Sequence, residues 1–441
     1  MKMKQWKKRM LGLGLSVVMA FGSAVAAPAL STEAKSVPKI TMSSTENGSY
    51  SGYHAVPDRT FLYKKGKKEL HVVSVIGMKL TDYTLNPKYS VTSVKKIKLP
   101  RYNEWGGYFH SEKGQHYVAI GFDNTAESET KTVIRVIKYD KDWEKAGQVD
   151  IHGYSSNGQG LGVYKPFDYG NVSFTENGDT LYLMTARTMF SNSEGLHSQS
   201  NIAFAINTKK MESHTNNVSY CSHSFNQFAR FKDGNLYLVD QGDAHPRGVQ
   251  ITIYDDFGKA QGDLKSNAIR SSVTAFAFQG DVGNNATGAT VGGMEVSNSY
   301  VLVTGSAQPH GSSVDGVTGF ASGYGENLYL IKRSTSTGEC SIRWLTSYNP
   351  AISGATVECP RMVKVNNNLF AILYTIKNVN NGKRYFHCMY IDGSGQKIKD
   401  APFSNIQFRG GTQPIVFNNR IVFVEKPSNL QNVQIYNIPT K

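Results

Sequence analysis

Cysteine is scarce: four in 441 residues (Cys221, Cys340, Cys359, Cys388), none in a Cys-x-x-Cys or Cys/His arrangement. That pattern excludes the usual zinc sites and leads us to expect neither metal nor cofactor. The four thiols admit three pairings, Cys359 with Cys388 among them, and small buried thiols within strands are the other reading. Acidic residues are also short, 34 against 48 Lys and Arg, for a net charge of +14. No Gly-x-Ser-x-Gly elbow accompanies an oxyanion loop, so the hydrolase nucleophile signature is missing. No recognisable nucleic-acid motif is present, which argues against a nucleic-acid partner. Beyond the N-terminus no stretch reaches the ~18–20 apolar residues of a spanning helix, so no membrane insertion is expected.

What is present begins at the N-terminus. Lys2, Lys4, Lys7, Lys8 and Arg9 precede an uncharged run from Met10 to Val25 that closes on Ala24-Val25-Ala26. This layout predicts a signal peptide over residues 1–26 and a secreted protein, extracellular or at the cell surface. Without those five basic residues, 43 Lys and Arg face 34 Asp and Glu, leaving +9. A basic secreted protein enriches acidic partners such as anionic glycans near it.

The mature chain is organised by a repeat. A strongly apolar strand recurs seven times, as Leu70–Ile76, His116–Phe122, Thr180–Thr185, Asn235–Asp240, Tyr300–Thr304, Leu369–Thr375 and Ile421–Glu425. Before these strands stand residues that accept positive φ, including Lys65-Gly66, Lys113-Gly114, Asn177-Gly178, Asp233-Gly234 and Asn418-Asn419. Starts spaced 46 to 69 residues apart suit four-stranded blades with variable loops. The expected fold is all-β: one β-propeller over residues 37–441, with about seven four-stranded blades. The last unit offers three strands before the chain ends, so Val37–Ser43 is expected to supply the fourth and close the ring.

At this point the chain resembles the secreted seven-bladed propellers of Gram-positive bacteria. The resemblance rests on Gly195-Leu-His-Ser-Gln-Ser-Asn201, His223-Ser-Phe-Asn-Gln227, Asp240-Gln-Gly-Asp-Ala-His-Pro-Arg247, Gly292–Val296 and Pro360–Lys364. It spans nearly all of the mature chain and implies the fold, with no activity attached. The Ser-x-Asp-x-Gly-x-Thr-Trp box of sialidases and the WD and kelch signatures are missing.

Loops of unequal length on one propeller face direct attention to blades 3, 4 and 5, at Thr188–Gln199, Gln241–Gly248 and Gln308–Gly325. They bring together His197, Gln199 and Asn201, then His223, Asn226 and Gln227, then Asp240, Asp243, His245 and Arg247, with His310 from blade 5. Such groups can hold a sugar by hydrogen bonds or stitch blades together. Trp105, beside two glycines, is a candidate ring for stacking on a sugar, as are Tyr53, His54 and Tyr164. The resulting expectation is a monomeric, non-catalytic binding module or scaffold for an anionic glycan or cell-envelope component. A polysaccharide lyase using His, Arg247 and Tyr220, and a protein-interaction platform, are the alternatives.

Overall fold

The computed structural model describes residues 55–153, 162–215, 218–257, 269–283, 285–309, 311–313, 316–318, 325–349, 353–425 and 433–440. Every regular element within them is a β-strand. Blade 1 holds β1 (Thr60–Lys65), β2 (Glu69–Ile76), β3 (Lys79–Leu85) and β4 (Val91–Lys98). Blade 2 holds β5 (Glu104–His110), β6 (His116–Gly121), β7 (Thr132–Tyr139) and β8 (Lys145–His152). In blade 3, a short β9 (Lys165–Pro166) joins β10 (Ser173–Asn177), β11 (Thr180–Thr188), β12 (Gln199–Asn207) and β13 (Glu212–Thr215).

Blade 4 is β14 (Ser224–Lys232), β15 (Asn235–Asp243), β16 (Arg247–Tyr254) and β17 (Ile269–Ala277). Blade 5 is β18 (Thr290–Val296) and β19 (Tyr300–Ala307), a hairpin of β20 (Gly311–Ser313) and β21 (Gly316–Thr318), then β22 (Asn327–Ser334) and β23 (Cys340–Trp344). Blade 6 is β24 (Ala355–Asn366), β25 (Leu369–Asn378), β26 (Arg384–Asp392) and β27 (Lys397–Phe403). Blade 7 has β28 (Ile415–Phe417), β29 (Arg420–Glu425) and β30 (Gln434–Pro439). These are the seven blades of a β-propeller, the last showing three strands among the described residues. The segment Val37–Ser43, expected to complete it, lies outside the described residues.

The seven apolar strands of the sequence repeat are β2, β6, β11, β15, β19, β25 and β29, the second strand of every blade. Second strands are covered by a blade on each side, so most of their residues are buried; β6 is buried throughout. The turns that lead into five of them have the positive φ expected, at Gly66, Gly114, Gly178, Asp233, Gly234, Asn418 and Asn419. Asn298-Ser299 before β19 and Asn366–Asn368 before β25, expected to do the same, do not.

What makes a ring is the packing between blades. Phe174, Leu181 and Leu183 of blade 3 meet Ala119, Val136 and Ile151 of blade 2. Equivalent clusters fill each following junction, and Leu70, Val72 and Leu85 of blade 1 pack on Phe417, Val422, Val424 and Ile435 of blade 7. That last cluster closes the circle by apolar burial, at about 1.5–3 kcal/mol for each fully buried large side chain. All four cysteines are free: Cys221 and Cys388 are buried, and Cys340 is exposed.

Candidate functional site

The innermost strands surround a channel with a cavity of about 270 Å³. Blade 1 contributes Phe61 and Tyr63, blade 2 Tyr108 and His110, and blade 3 Asn171 and Phe174. Blade 4 adds Asn226, Gln227, Phe228 and Arg230, blade 6 adds Arg361, and blade 7 adds Gln413. The chain reaches this ring by crossing the channel. Ala55 N donates to Phe225 O of blade 4 (3.2 Å), and three residues later Asp58 O accepts Trp105 Nε1 (2.7 Å), ahead of β1.

Charge in the channel centres on Arg361, whose Nη2 donates to Gly410 O (2.6 Å). Two carboxyls feel its field. Burial pushes Asp58 up to about 6, with Arg361 pulling the other way. Burial also pushes Glu425 up to about 7, against amide hydrogen bonds from the Arg409–Gly411 stretch and the Arg361 charge. Glu425 Oε1 accepts the Gly410 and Gly411 amides at 3.0 and 3.4 Å. Both carboxyls therefore hold their protons in mildly acid solution, where they offer Arg361 little charge compensation.

This has a consequence for stability. A carboxyl whose folded pKa is raised contributes stability that is complete below its unfolded pKa and is lost as pH rises through the folded value. For Glu425 the window runs from 4.5 to about 7. Glu425→Gln, which cannot ionise, is expected to gain on the native chain by about 3 kcal/mol between pH 4.5 and pH 8. Urea midpoints of the two proteins at both pH values check this; a constant difference would contradict it.

Most residues expected at the site act as stitches between blades. Gln199 Nε2 donates to Ser224 O (2.6 Å) while its Oε1 accepts Ser224 N (2.6 Å), clamping blade 3 to blade 4. Asn201 does the same with Ser219 O and Cys221 N. Asn226 accepts from Asn171 of blade 3 (2.6 Å) and donates to Val291 O of blade 5 (2.6 Å). Gln227 N donates to Asn171 Oδ1 (2.8 Å), and its Nε2 donates to Ser224 Oγ (2.5 Å). Asp240 accepts Ser224 Oγ (2.7 Å), and burial pushes its carboxyl up to about 7. Asn226 and Gln227 also line the channel, so these two serve both places.

A second group forms at the rim. Asp243, only 1% exposed, accepts Gly283 N (2.7 Å) and a hydrogen bond from Arg247, with His223 Nδ1 3.7 Å away. Burial raises the Asp243 carboxyl, opposed by the Gly283 amide and by Arg247. His245 is exposed nearby, and its carbonyl accepts Ser222 N. The blade 4 loop is shorter than its sequence suggests: Gln241–Asp243 continue β15, with Asp243 opposite Arg247, leaving three residues to turn. His197 stands apart, its ring tilted against Tyr164 with centroids 4.1 Å apart, and 3.7 Å from Glu127.

Trp105 is 4% exposed and packs between blades 1 and 2, so neither ring face is open for stacking on a sugar. Its indole N–H found a backbone carbonyl, the ordinary fate of a buried tryptophan. Tyr53, His54 and His310 lie outside the described residues.

A cluster that the sequence did not single out fills the blade 1–blade 2 junction and reaches the channel. Asp82 accepts Tyr63 OH (2.6 Å), Trp143 Nε1 (2.9 Å) and His71 Nδ1 (2.9 Å). Burial alone would raise the Asp82 carboxyl; these hydrogen bonds outweigh it and hold the carboxyl below its usual range. His110 and His116 are 3.4 Å apart, and burial pushes them down to about 3 and about 4, with their mutual repulsion adding at His110. Among the described residues no three His, Cys, Asp or Glu side chains gather in a metal-binding group.

No family model matches the chain, and no curated protein matches it. Known structures do: a mutant of the Synechocystis apocarotenoid oxygenase is similar over 80% of this chain and 62% of its own, at 10% identity and a TM-score of 0.36. The cobalt-substituted form of that oxygenase gives 9% and 0.36. The polysaccharide lyase Uly1 aligns over 91% of this chain and 94% of its own, at 11% identity and a TM-score of 0.46. This chain spans less than two thirds of the oxygenase's length. At such identities the likeness concerns the fold, and no chemistry follows from it.

Proposed function

We propose that the protein is a secreted, non-catalytic propeller that binds an anionic glycan or cell-envelope component, seating a charged sugar in the central channel. The supporting observation is the wall of the cavity: aromatic rings, side-chain amides and the Arg361 guanidinium around one volume, with Arg230 beside it already paired to Glu295. Rings and amides recognise sugar faces and hydroxyls, and a guanidinium matches a carboxylate. At about 270 Å³ the cavity is at the small end of the ~300–1,000 Å³ typical of ligand sites, which suits a chain end or one residue. His110 and His116, held neutral to about 3 and 4, are poor proton acceptors near neutrality, which favours binding over turnover.

A glycan array with the purified mature chain tests this reading. Retention of uronate-terminated glycans over neutral ones is expected. Arg361→Gln should weaken that retention about 10- to 100-fold. Retention should also strengthen as pH falls from 8 to 6, as Asp58 and Glu425 take up protons. Equal retention of neutral glycans by both proteins would overturn it.

The rim group of His223, Asp243 and Arg247 favours a second reading, a polysaccharide lyase. In it His223 takes the proton beside a uronate carboxylate, the neighbouring carbon–oxygen bond breaks as a carbon–carbon double bond forms, and water protonates the leaving oxygen. Arg247, shared with Asp243, offsets the carboxylate charge. New ultraviolet absorbance from a polyuronate, abolished by His223→Ala, would replace the first reading with this one.

A further inference from the structure

Positive charge is not spread around the ring. Residues 55–103, the blade 1 stretch, hold eleven Lys and Arg against three Asp and Glu. Residues 104–353, which make blades 2 to 5, hold 19 against 25, and residues 354–441 hold 11 against four. One arc of the propeller is thus strongly basic and the opposite arc is acidic. Blade 1 is the pole.

Four of its eleven cations stand on the two outer strands. In β4, the outermost strand of blade 1, only Ile97 is buried; Lys95, Lys96 and Lys98 are exposed. Lys79 of β3 is exposed too and stands directly opposite Lys98 in the strand register. Like charges directly opposite one another destabilise a sheet. Among the described residues none of these four lysines is in an ion pair. Lys95 lies on the other face of β4, beside buried Ile97 and opposite Asp82, and reaches the carbonyl of Asp142.

A lysine on an edge strand also guards against edge-to-edge aggregation. That need does not account for three of them and a fourth across the ladder. The outer strands of blades 2, 4 and 5 (β8, β17 and β23) manage with one cation each, β27 of blade 6 with two, and β13 with none. Same-face lysines two residues apart in a strand are ~6.6–6.8 Å apart, and neighbouring strands ~4.8 Å. These spacings are shorter than the ~8 Å Debye length at physiological salt, so the charges act together on anything that lies along them.

We propose that the outer wall of blade 1 is a docking surface for a linear polyanion, a chain of uronate or phosphodiester repeats laid along β4. Lys96 and Lys98, on one face of β4, and Lys79 opposite Lys98 form its centre. The partner is set by complementarity: a row of unpaired cations, open along one side, fits a flexible polymer carrying one negative charge per repeat. This surface is separate from the channel and does not depend on what the channel holds. The two together would let the wall gather a polymer whose end the channel reads.

The test measures binding of the mature chain to three soluble polymers: a polyuronate, a poly(glycerol phosphate) and uncharged dextran. Both charged polymers should bind and dextran should not, with log affinity falling linearly with log salt as counterions are released. The triple variant Lys79→Glu/Lys96→Glu/Lys98→Glu should lose about a hundredfold in affinity near 0.1 M salt and show a shallower slope. A control reversing three exposed lysines elsewhere (Lys131, Lys145 and Lys210) changes net charge equally and should lose less than about threefold. Binding of one polymer alone identifies the charge type and supports the proposal. Equal losses in the two triple variants, no salt dependence, or binding confined to anionic lipid vesicles would overturn it. Failure of the channel reading is seen separately: a monomeric uronate tests the channel through Arg361→Gln, which leaves the salt-dependent polymer binding intact.

Discussion

Asp82→Ala is expected to cost about 3–5 kcal/mol of stability, the range for removing one partner from a buried charged network. The carboxylate is the common acceptor for Tyr63 OH, Trp143 Nε1 and His71 Nδ1, all at 2.9 Å or less. Truncation leaves three buried donors with nothing to replace the carboxylate, and each lost partner exacts its own desolvation cost. Asp82→Asn keeps the shape and one acceptor oxygen, so it should recover part of the loss. Since a domain of this kind has about 5–15 kcal/mol in hand, the alanine variant should still fold but unfold at a much lower urea concentration. An alanine variant within 1 kcal/mol of the native chain would show that the network contributes little. The depressed Asp82 carboxyl adds a sign to the pH profile: its contribution is present above the unfolded pKa and is lost as pH falls below it.

The second large effect is steric. Gly305 lies in β19, opposite Val291 and Tyr329. A Cβ placed there would sit 1.8 Å from Thr290 O and 2.2 Å from the Tyr329 hydroxyl. Tyr329 is fully buried, and its OH donates to that same Thr290 carbonyl (2.7 Å). Gly305→Ala is therefore expected to destabilise by about 3 kcal/mol or more, because a methyl displaces both a side chain and a neighbouring strand. Trimming the ring hydroxyl with Tyr329→Phe in the same chain should not rescue it, since the backbone carbonyl remains in the way. Full rescue by that second change would mean that the hydroxyl alone set the limit. Chemical denaturation of the single and double variants decides between these outcomes.

Blade 1 and the residues of blades 3 and 4 show how far a linear reading carries. His71, on the apolar second strand of blade 1, looks from the sequence like one more strand residue; its partner Asp82 is eleven residues on, across β2 and β3. Tyr63 and Trp143 reach the same carboxylate from 19 and 61 residues away. No local pattern announces that convergence. Gln199, Asn201, Asn226 and Asp240 were visible as a polar group, and the structure does bring them close. It spends their hydrogen bonds on Ser224, Cys221, Asn171 and Val291. Arg361 is the opposite case, a channel group in a segment that reads as an ordinary strand. The signals there were the resemblance over Pro360–Lys364 and the Pro360-Arg361 interruption, where β24 departs from regular register.

What the sequence determined by itself was the all-β repeat: seven apolar second strands, the positive-φ turns before five of them, and a last blade with three strands of its own. Those features are local, because burial of alternate residues and the conformational freedom of a turn depend on neighbours two to four positions away. Tertiary structure alone decided which polar groups stitch blades and which face the channel. It also placed Trp105 inside a junction and set the basic stretch of blade 1 on an open wall. Such outcomes depend on partners far along the chain, 65 residues for Asn226 and Val291 and 352 for Lys64 and Val416. A buried donor's role is defined by the acceptor it meets, and ring closure chooses that acceptor.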